Sequence, residues 1–468
     1  MGKSKFLKDI ISVAISNGII LLSGALITIV VPSFTGVSEY GKFKLFSLYV
    51  SYTGLLHFGF VDGILLKHSG KSYESIDKKI FRVNSKFFIV FQLCTSSLLF
   101  IFLNLFLHKN GFFLNFVISL DALLINFTTY FQFISQATMN FKRISLRNII
   151  QSFLRIAAVI LLIFCLSNNF ITKLLANYLI GCWVFIDMLL MIWYLYSYRD
   201  IVIGASNNFK SSVTYIIDYF KIGIPLTFSY QISTLIYNLD NQFVAAYFNL
   251  KVYGIYSFAY SLMTLINTII TAIAIVLLPN LKKMDEATLI RKYNFYMSTI
   301  AVLVFGGMIV YFPLKIFIST YLDRYIGSFA FLRIIFPGLA LSSCINTIMF
   351  VYYQVLGKIN IFFKTSIKMF AISIVINFVA VTVFHTPQSI SVVSIIILAG
   401  WYIETERYFV DKYKINWKSN YIYIILMMIC FYLTTSIVNN LLGLVVYTVV
   451  YVILGYGYMR KRWLGKDS

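Results

Sequence analysis

A chain of 468 residues that is 60% hydrophobic and 12% charged, with a mean hydropathy of +0.83, cannot cover itself with polar side chains as a water-soluble globule does. Its composition is that of an all-α polytopic membrane protein. The net charge of +22 arises from 39 Lys and Arg spread over many separate segments, which fits membrane lipid headgroups and loop topology and argues against nucleic acid as a partner.

The first apolar run, 10–31, follows Lys3, Lys5 and Lys8 as a signal peptide would. Pro32 and Phe34 stand where a small-residue cleavage site is needed, so we read it as a retained helix. A span needs about 20 apolar residues. Cutting the remaining chain at charged or Asn-, Gly- and Pro-bearing breaks predicts fourteen transmembrane helices: 10–31, 42–65, 87–107, 112–139, 149–167, 171–196, 222–248, 254–278, 295–318, 329–355, 365–384, 389–410, 420–438 and 441–459. Two of the breaks rest on the pairs Asn168-Asn169 and Asn439-Asn440, which favour a tight turn. With the N-terminus inside, most Lys and Arg fall in cytoplasmic segments, the largest being 67–86 and 197–221, and both termini are cytoplasmic.

The chain is written twice. Tyr40-Gly41-Lys42-Phe43, expected in the turn after the first helix, returns 213 positions later as Tyr253-Gly254-Ile255-Tyr256 after the seventh. This predicts two pseudo-symmetric six-helix lobes, 1–200 and 201–411, and a C-terminal helix pair with its tail, 412–468. Repeated helical units of this kind build many transporters.

Ionisable side chains inside apolar runs are costly and mark cavities or partners. We single out Asp121, Arg155, Asp187 and Asp240. Arg155 lies about 18 Å from the outer end of its helix, near the bilayer midplane, and continues a polar stripe from Arg143, Arg147 and Gln151. The same offset of 213 places Lys364 and Lys368 under Gln151 and Arg155, so two basic stripes line one cavity, or else the lysines only snorkel to the interface. A second stripe, Asp121, Thr128, Gln132 and Gln136, offers hydroxyl and amide groups for sugar hydroxyls or for helix–helix contacts. Asp240, Asp187 and Asp121 are the candidate ion-coupling carboxylates, and Asp240 or Asp187 could instead pair with Arg155. Asp240 could equally be a hydrogen-bond anchor between the lobes. Pro225, Pro313 and Pro337 are candidate bending points. Cys94, Cys165, Cys182, Cys344 and Cys430 have no paired spacing and His57, His68, His108 and His385 no metal spacing, so we expect packing cysteines, a satisfied interior His57, no metal site and no cofactor.

Several of these residues resemble a known family. A helix with buried Asp240, then Tyr253-Gly254-Ile255-Tyr256-Ser257-Phe258-Ala259 and a helix ending at Pro279, together with Glu39-Tyr40-Gly41, Phe58-Gly59-Phe60, Gln136 and Gln354-Val355-Leu356-Gly357-Lys358, resemble Wzx-type flippases. These form the polysaccharide-transporter branch of the multidrug/oligosaccharidyl-lipid/polysaccharide exporter superfamily. The resemblance implies two lobes around a central cavity, alternating access, and an undecaprenyl-diphosphate-linked oligosaccharide as cargo. It implies flipping to the outer leaflet of the bacterial inner membrane for O-antigen (and so lipopolysaccharide), capsule or exopolysaccharide assembly. The polymerase and chain-length regulator of that pathway are the implied protein partners. Many members have twelve helices, and fourteen are expected here. An Arg-bearing cavity suits a diphosphate and disfavours the alternative of a multidrug or cation antiporter. Short outer loops disfavour a membrane polysaccharide polymerase, so a transporter rather than an enzyme is expected. The chain has no Gly-rich phosphate-cradling loop, so ATP is not its direct driver.

Overall fold

The computed structural model describes residues 3–463 other than 108, 109, 208, 283 and 438. Among these the chain is almost wholly helical and has no strand, only an isolated bridge between Thr35 and Leu174. It divides into two compact units, residues 1–231 and 232–468.

The first unit contains α1 (Lys3–Phe34), α2 (Val37–Val50), α3 (Phe60–His68), α4 (Lys78–Phe106), α5 (Phe112–Ala137), α6 (Phe141–Ser167), α7 (Ala176–Ser197) and α8 (Arg199–Val202), and the start of α9 (Phe209–Tyr247). The second contains the rest of α9, α10 (Leu250–Leu281), α11 (Glu286–Gly307), α12 (Tyr311–Tyr321), α13 (Ser328–Ile335), α14 (Gly338–Ser343), a π-helical turn Cys344–Met349, α15 (Phe350–Val355), α16 (Ile359–Phe384), α17 (Pro387–Tyr413), α18 (Lys418–Thr435) and α19 (Asn440–Trp463). Within the first unit α5 is central: it packs on α2, α3, α4, α6 and α7, and three fifths of its span is buried. By contrast α6 buries about a tenth of its span and turns an apolar flank outward, as a lipid-facing helix must.

All fourteen expected segments are helical, but their ends and count differ from expectation. Among the described residues ten helices are long and apolar enough to cross a membrane, or eleven if one bent pair is a single span. The segments expected at 222–248 and 420–438 are helices outside that set; α9 carries Gln231, Asn238, Asp240 and Asn241 along its length, and part of the segment expected at 254–278 lies outside the residues whose side chains are described. Helices also begin earlier than the charge-based cuts: α4 at Lys78 instead of 87, α6 at Phe141 instead of 149, α9 at Phe209 instead of 222. Charged residues end a span without ending a helix, and Asp77 accepts from the N–H groups of Lys79 (2.9 Å) and Ile80 (3.3 Å) to start α4. The Tyr-Gly pairs are not in turns. Tyr40-Gly41 and Tyr253-Gly254 lie in the first turns of α2 and α10, because the breaks fall just before them, at Thr35-Gly36 and at Phe248-Asn249. Asn249 caps α10 by accepting from the Val252 N–H at 2.9 Å.

The Asn168-Asn169 turn is present, with Asn169 left-handed at φ 60°. Asn439 caps α19 through the N–H groups of Leu441 and Leu442. Pro225 sits inside an unbroken α9, Pro313 in the first turn of α12, and Pro337 between α13 and α14, where the expected helix 329–355 is divided. Of the cysteines only Cys344 is fully buried, and Cys94 is exposed rather than packed. His108 and Lys109 lie outside the described residues.

The expected helix 42–65 is bent by 60°. Phe58 (φ 46°) and Gly59 (φ 80°) are both left-handed between a 3₁₀ turn, Thr53–His57, and α3. The bend is braced by Gln92, which donates to Leu56 O (3.1 Å), and by Asn126, which donates to Thr53 O (3.1 Å) and Gln92 Oε1 (2.8 Å). Past it, α3 lies directly on α9: a Cβ on Gly223 would overlap the Gly59 carbonyl, and one on Gly63 would overlap the Tyr219 carbonyl. Small residues let membrane helices approach backbone to backbone. Gly223→Ala is therefore expected to lower the unfolding temperature of the purified protein in detergent, by an overpacking cost of about 1–3 kcal/mol. Gly457→Ala, where a Cβ meets nothing within 4 Å, is the control and should not lower it. Equal unfolding temperatures would contradict this packing.

Candidate functional site

Three helices of the first unit, α5, α6 and α7, bring the expected charges together. Asp187 on α7 is 1% exposed and accepts a hydrogen bond from Gln151 Nε2 at 2.9 Å and one from Arg155 Nη2 at 3.5 Å. The question the sequence left open is thus answered: the partner of Arg155 is Asp187. Asp121 on α5 is equally buried, within electrostatic reach of Asp187 and Arg155, and its Oδ1 has no hydrogen-bond partner among the described residues. The Arg155 guanidinium lies 5.5 Å from the Trp183 ring centre, and its side chain keeps 29% of its surface exposed. Arg155 thus has one face on Asp187 and Trp183 and another open, while its Nε has no hydrogen-bond partner among the described residues.

The rest of the stripe is engaged locally. Arg147 donates to Asn148 Oδ1 at 3.2 Å, and Arg143 lies over the Tyr198 ring at 4.6 Å. Two carboxylates stand against this row, so it is not the bare line of cations that spacing alone suggests. On α5, Thr128 is buried with its hydroxyl on Ile125 O, Gln132 is half-buried and Gln136 exposed.

In the second unit Asp240 is 2% exposed and surrounded by hydroxyl donors. Tyr256 donates to its Oδ2 at 3.0 Å and Ser394 at 2.9 Å, Tyr260 also donates to Oδ2, and Oδ1 accepts the Asn241 N–H at 2.7 Å. These side-chain donors sit on α10 and α17, so these bonds hold Asp240 within its own unit; the alternative of an anchor between lobes draws no support from them. Lys364 is exposed, and Lys368 is paired with Glu404 at 2.9 Å on the exposed side of α16 and α17.

Lys368 corresponds to Arg155, and each pairs with a carboxylate from the next long helix, Glu404 on α17 or Asp187 on α7. The repeated motif serves both sites as well. Phe43 packs edge-on against Trp183 at 5.3 Å, behind Arg155, and its counterpart Tyr256 bonds Asp240.

Sequence reasoning missed Asp62 and Glu406. Asp62 is 2% exposed on α3, bonded by Thr227, with His57 Nδ1 at 3.7 Å. Glu406 is fully buried on α17 near Tyr293, Tyr402 and Tyr421. Both carboxylates were visible inside the expected segments 42–65 and 389–410, and that was the signal to follow.

The family model described as "Polysaccharide biosynthesis protein" matches residues 6–285. No curated protein matches the chain significantly. Among solved structures the fold is similar to "Lipid II flippase MurJ, inward closed conformation", with a TM-score of 0.71 and 14% identity over 97% of this chain and 99% of that one. It is also similar to an inward-facing multidrug resistance MATE family transporter of the MOP superfamily, TM-score 0.56 and 12% identity over 86% and 95%. A MOP superfamily transporter from Pyrococcus furiosus gives a TM-score of 0.54 at 12% identity over 91% and 96%. At these identities the likeness is one of fold, whereas the sequence model covers more than half of the chain. This multi-pass membrane protein, with the helical fold seen in MurJ and MATE structures, belongs to the polysaccharide biosynthesis protein family.

Proposed function

We propose that this protein is a flippase that carries undecaprenyl-diphosphate-linked oligosaccharide units from the cytoplasmic to the outer leaflet of the bacterial inner membrane, for O-antigen, capsule or exopolysaccharide assembly. The observation that carries the reading is the family match over residues 6–285; the fold shared with a lipid II flippase supports it. Arg155 supplies a chemical reason. Its bond to Asp187 is long at 3.5 Å, and a diphosphate, multiply anionic and able to accept two parallel N–H bonds, competes for the same guanidinium. Gln151 keeps Asp187 in place during the exchange. Gln132, Gln136, Arg147, Lys364 and Lys368 are the further groups we assign to the cargo path, and Asp240, with Asp187 and Asp121, to ion coupling. The direct test is complementation of a flippase-null strain with a defined repeat unit; no restored surface polysaccharide at normal expression would overturn the assignment.

One observation favours a second reading, export of a hydrophobic cation. The unpartnered Oδ1 of Asp121 lies buried beside a second carboxylate. Saturable efflux of a lipophilic cation by vesicles, lost in Asp121→Asn, would support it.

Both termini are assigned to the cytoplasm. The segments 67–86 and 197–221 meet on one face of the first unit, through Lys67–Asp218 at 3.1 Å, Lys78–Asp200 at 2.7 Å and Arg82 to Ala205 O at 2.7 Å. There Asp200 is partly buried, which opposes ionisation, but its bonds from Lys78 and Tyr73 prevail and hold its carboxyl below the usual range. Reporter fusions should place these two segments and 411–419 inside, and the segments around Lys109, Asp323 and Pro387 outside. An outward-reporting C-terminus would mean an odd number of spans.

A further inference from the structure

At the bend before α3 two acceptor atoms face each other with no donor between them. His57 is 1% exposed, and its Nδ1 accepts the Gly59 N–H at 3.2 Å, so that nitrogen carries no proton and the neutral ring is protonated at Nε2. The same Nδ1 stands 3.7 Å from Asp62 Oδ2, which receives the Thr227 hydroxyl. The contact is therefore not an ion pair between imidazolium and carboxylate. It sets a nitrogen lone pair against a carboxylate oxygen inside a membrane span, where little water screens the repulsion.

We propose that His57 and Asp62 form a proton-binding site, in which one proton, held on Asp62 in the present conformation, can move to His57 Nδ1 and release the bend of the second span. The step is a proton transfer: the Asp62 O–H bond breaks, the Nδ1–H bond forms, and a neutral pair becomes a carboxylate beside an imidazolium. Protonated Nδ1 cannot accept from Gly59, so the left-handed turn at Phe58-Gly59 loses the bond that closes it. The proton's position is tied in this way to the angle between the two halves of the span. Thr227 extends the link to α9, which meets this bend backbone to backbone at Gly223.

The surroundings favour a proton over a metal cation. The ionisable groups facing Asp62 are His57 and, from α9, Tyr230. From α4 and α5 come the uncharged Gln92 and Asn126, already bonded to Leu56 O, Thr53 O and each other. The charged neighbours farther along α3 are committed elsewhere, Lys67 to Asp218 and His68 to the Tyr219 hydroxyl. A nitrogen acceptor with one carboxylate and one hydroxyl is a poor cage for a hard ion, which prefers six or more oxygens. Asp240 lies farther along α9, and its hydroxyl donors Tyr256, Tyr260 and Ser394 are on α10 and α17.

The test needs no cargo, so failure of the flippase reading would leave it standing. The full-length protein in nanodiscs is examined by infrared spectroscopy and, with ¹⁵N-labelled histidine, by magnetic resonance. At neutral pH the wild type should show the carbonyl band of a buried carboxylic acid that Asp62→Asn removes and Asp240→Asn does not. The resonances removed by His57→Gln should be those of a neutral ring with Nδ1 bare at neutral pH. An unchanged infrared spectrum in Asp62→Asn, a sodium-dependent shift of these signals, or a His57 carrying its proton on Nδ1 at neutral pH would each overturn the proposal. If Asp62→Asn does not fold, the wild-type His57 tautomer decides alone.

Discussion

Arg155→Ala is expected to abolish surface polysaccharide while protein level and membrane insertion stay normal. The side chain has an open face beside a long, weak bond to Asp187, and charge-assisted hydrogen bonds of the kind a phosphate would make are worth about 1.5–3 kcal/mol, roughly ten- to a hundredfold in binding. Arg155→Lys should recover part of the activity, since the charge remains but the planar fork is lost. The structure adds a third variant. If Asp187 competes with the cargo, Asp187→Asn should leave Arg155 freer and tighten binding of the lipid-linked substrate while slowing its release. Full polysaccharide in the Ala variant at ordinary expression would remove Arg155 from the cargo path.

Asp240→Asn is the second large effect: the variant should bind lipid-linked substrate and yet lose the stimulation of flipping by an imposed proton or sodium gradient. An empty carrier must reset between cycles, and a carboxylate that loads its ion from one side biases that step. The amide fits the site. Its oxygen can take the Asn241 N–H, and the hydroxyls of Tyr256, Tyr260 and Ser394 can rotate from donor to acceptor toward its NH₂ group. A merely structural Asp240 would survive the exchange, because hydroxyls adapt. Gradient-driven flipping in vesicles separates the two, and flipping that responds to the gradient as in the wild type would sink the coupling role.

The buried charges were legible wherever one stood alone in an apolar run, as Arg155 and Asp240 do. What they touch was not. That Asp187, rather than Asp121 or Asp240, meets Arg155 depends on how α6 packs against α7, and spacing within one helix carries no information about a neighbour's rotation. Helix ends were misplaced because charge marks the edge of the lipid, whereas a helix continues until its N–H groups find a cap such as Asp77 or Asn249. Asp62 was lost for a different reason. It is buried by a left-handed corner at Phe58-Gly59 inside the expected span 42–65, and the spacing of apolar residues in that run does not mark such a corner. The Tyr-Gly pairs are expected in turns because Gly signals a turn unless packing keeps it helical, and both lie in helices.

One capping contact bears on how the chain is assembled. Leu175 offers α7 no side-chain cap; the carboxylate of Glu39, 137 residues earlier, accepts the Ala176 N–H at 2.7 Å, next to the Thr35–Leu174 bridge. A carboxylate at a helix N-terminus also meets the positive end of its dipole. At about 5–20 residues per second, roughly ten seconds of synthesis separate Glu39 from its partner. For that interval the acid at the start of α2 lacks this partner, and the helix that holds Asp187 draws the cap of its first turn from a segment made long before it.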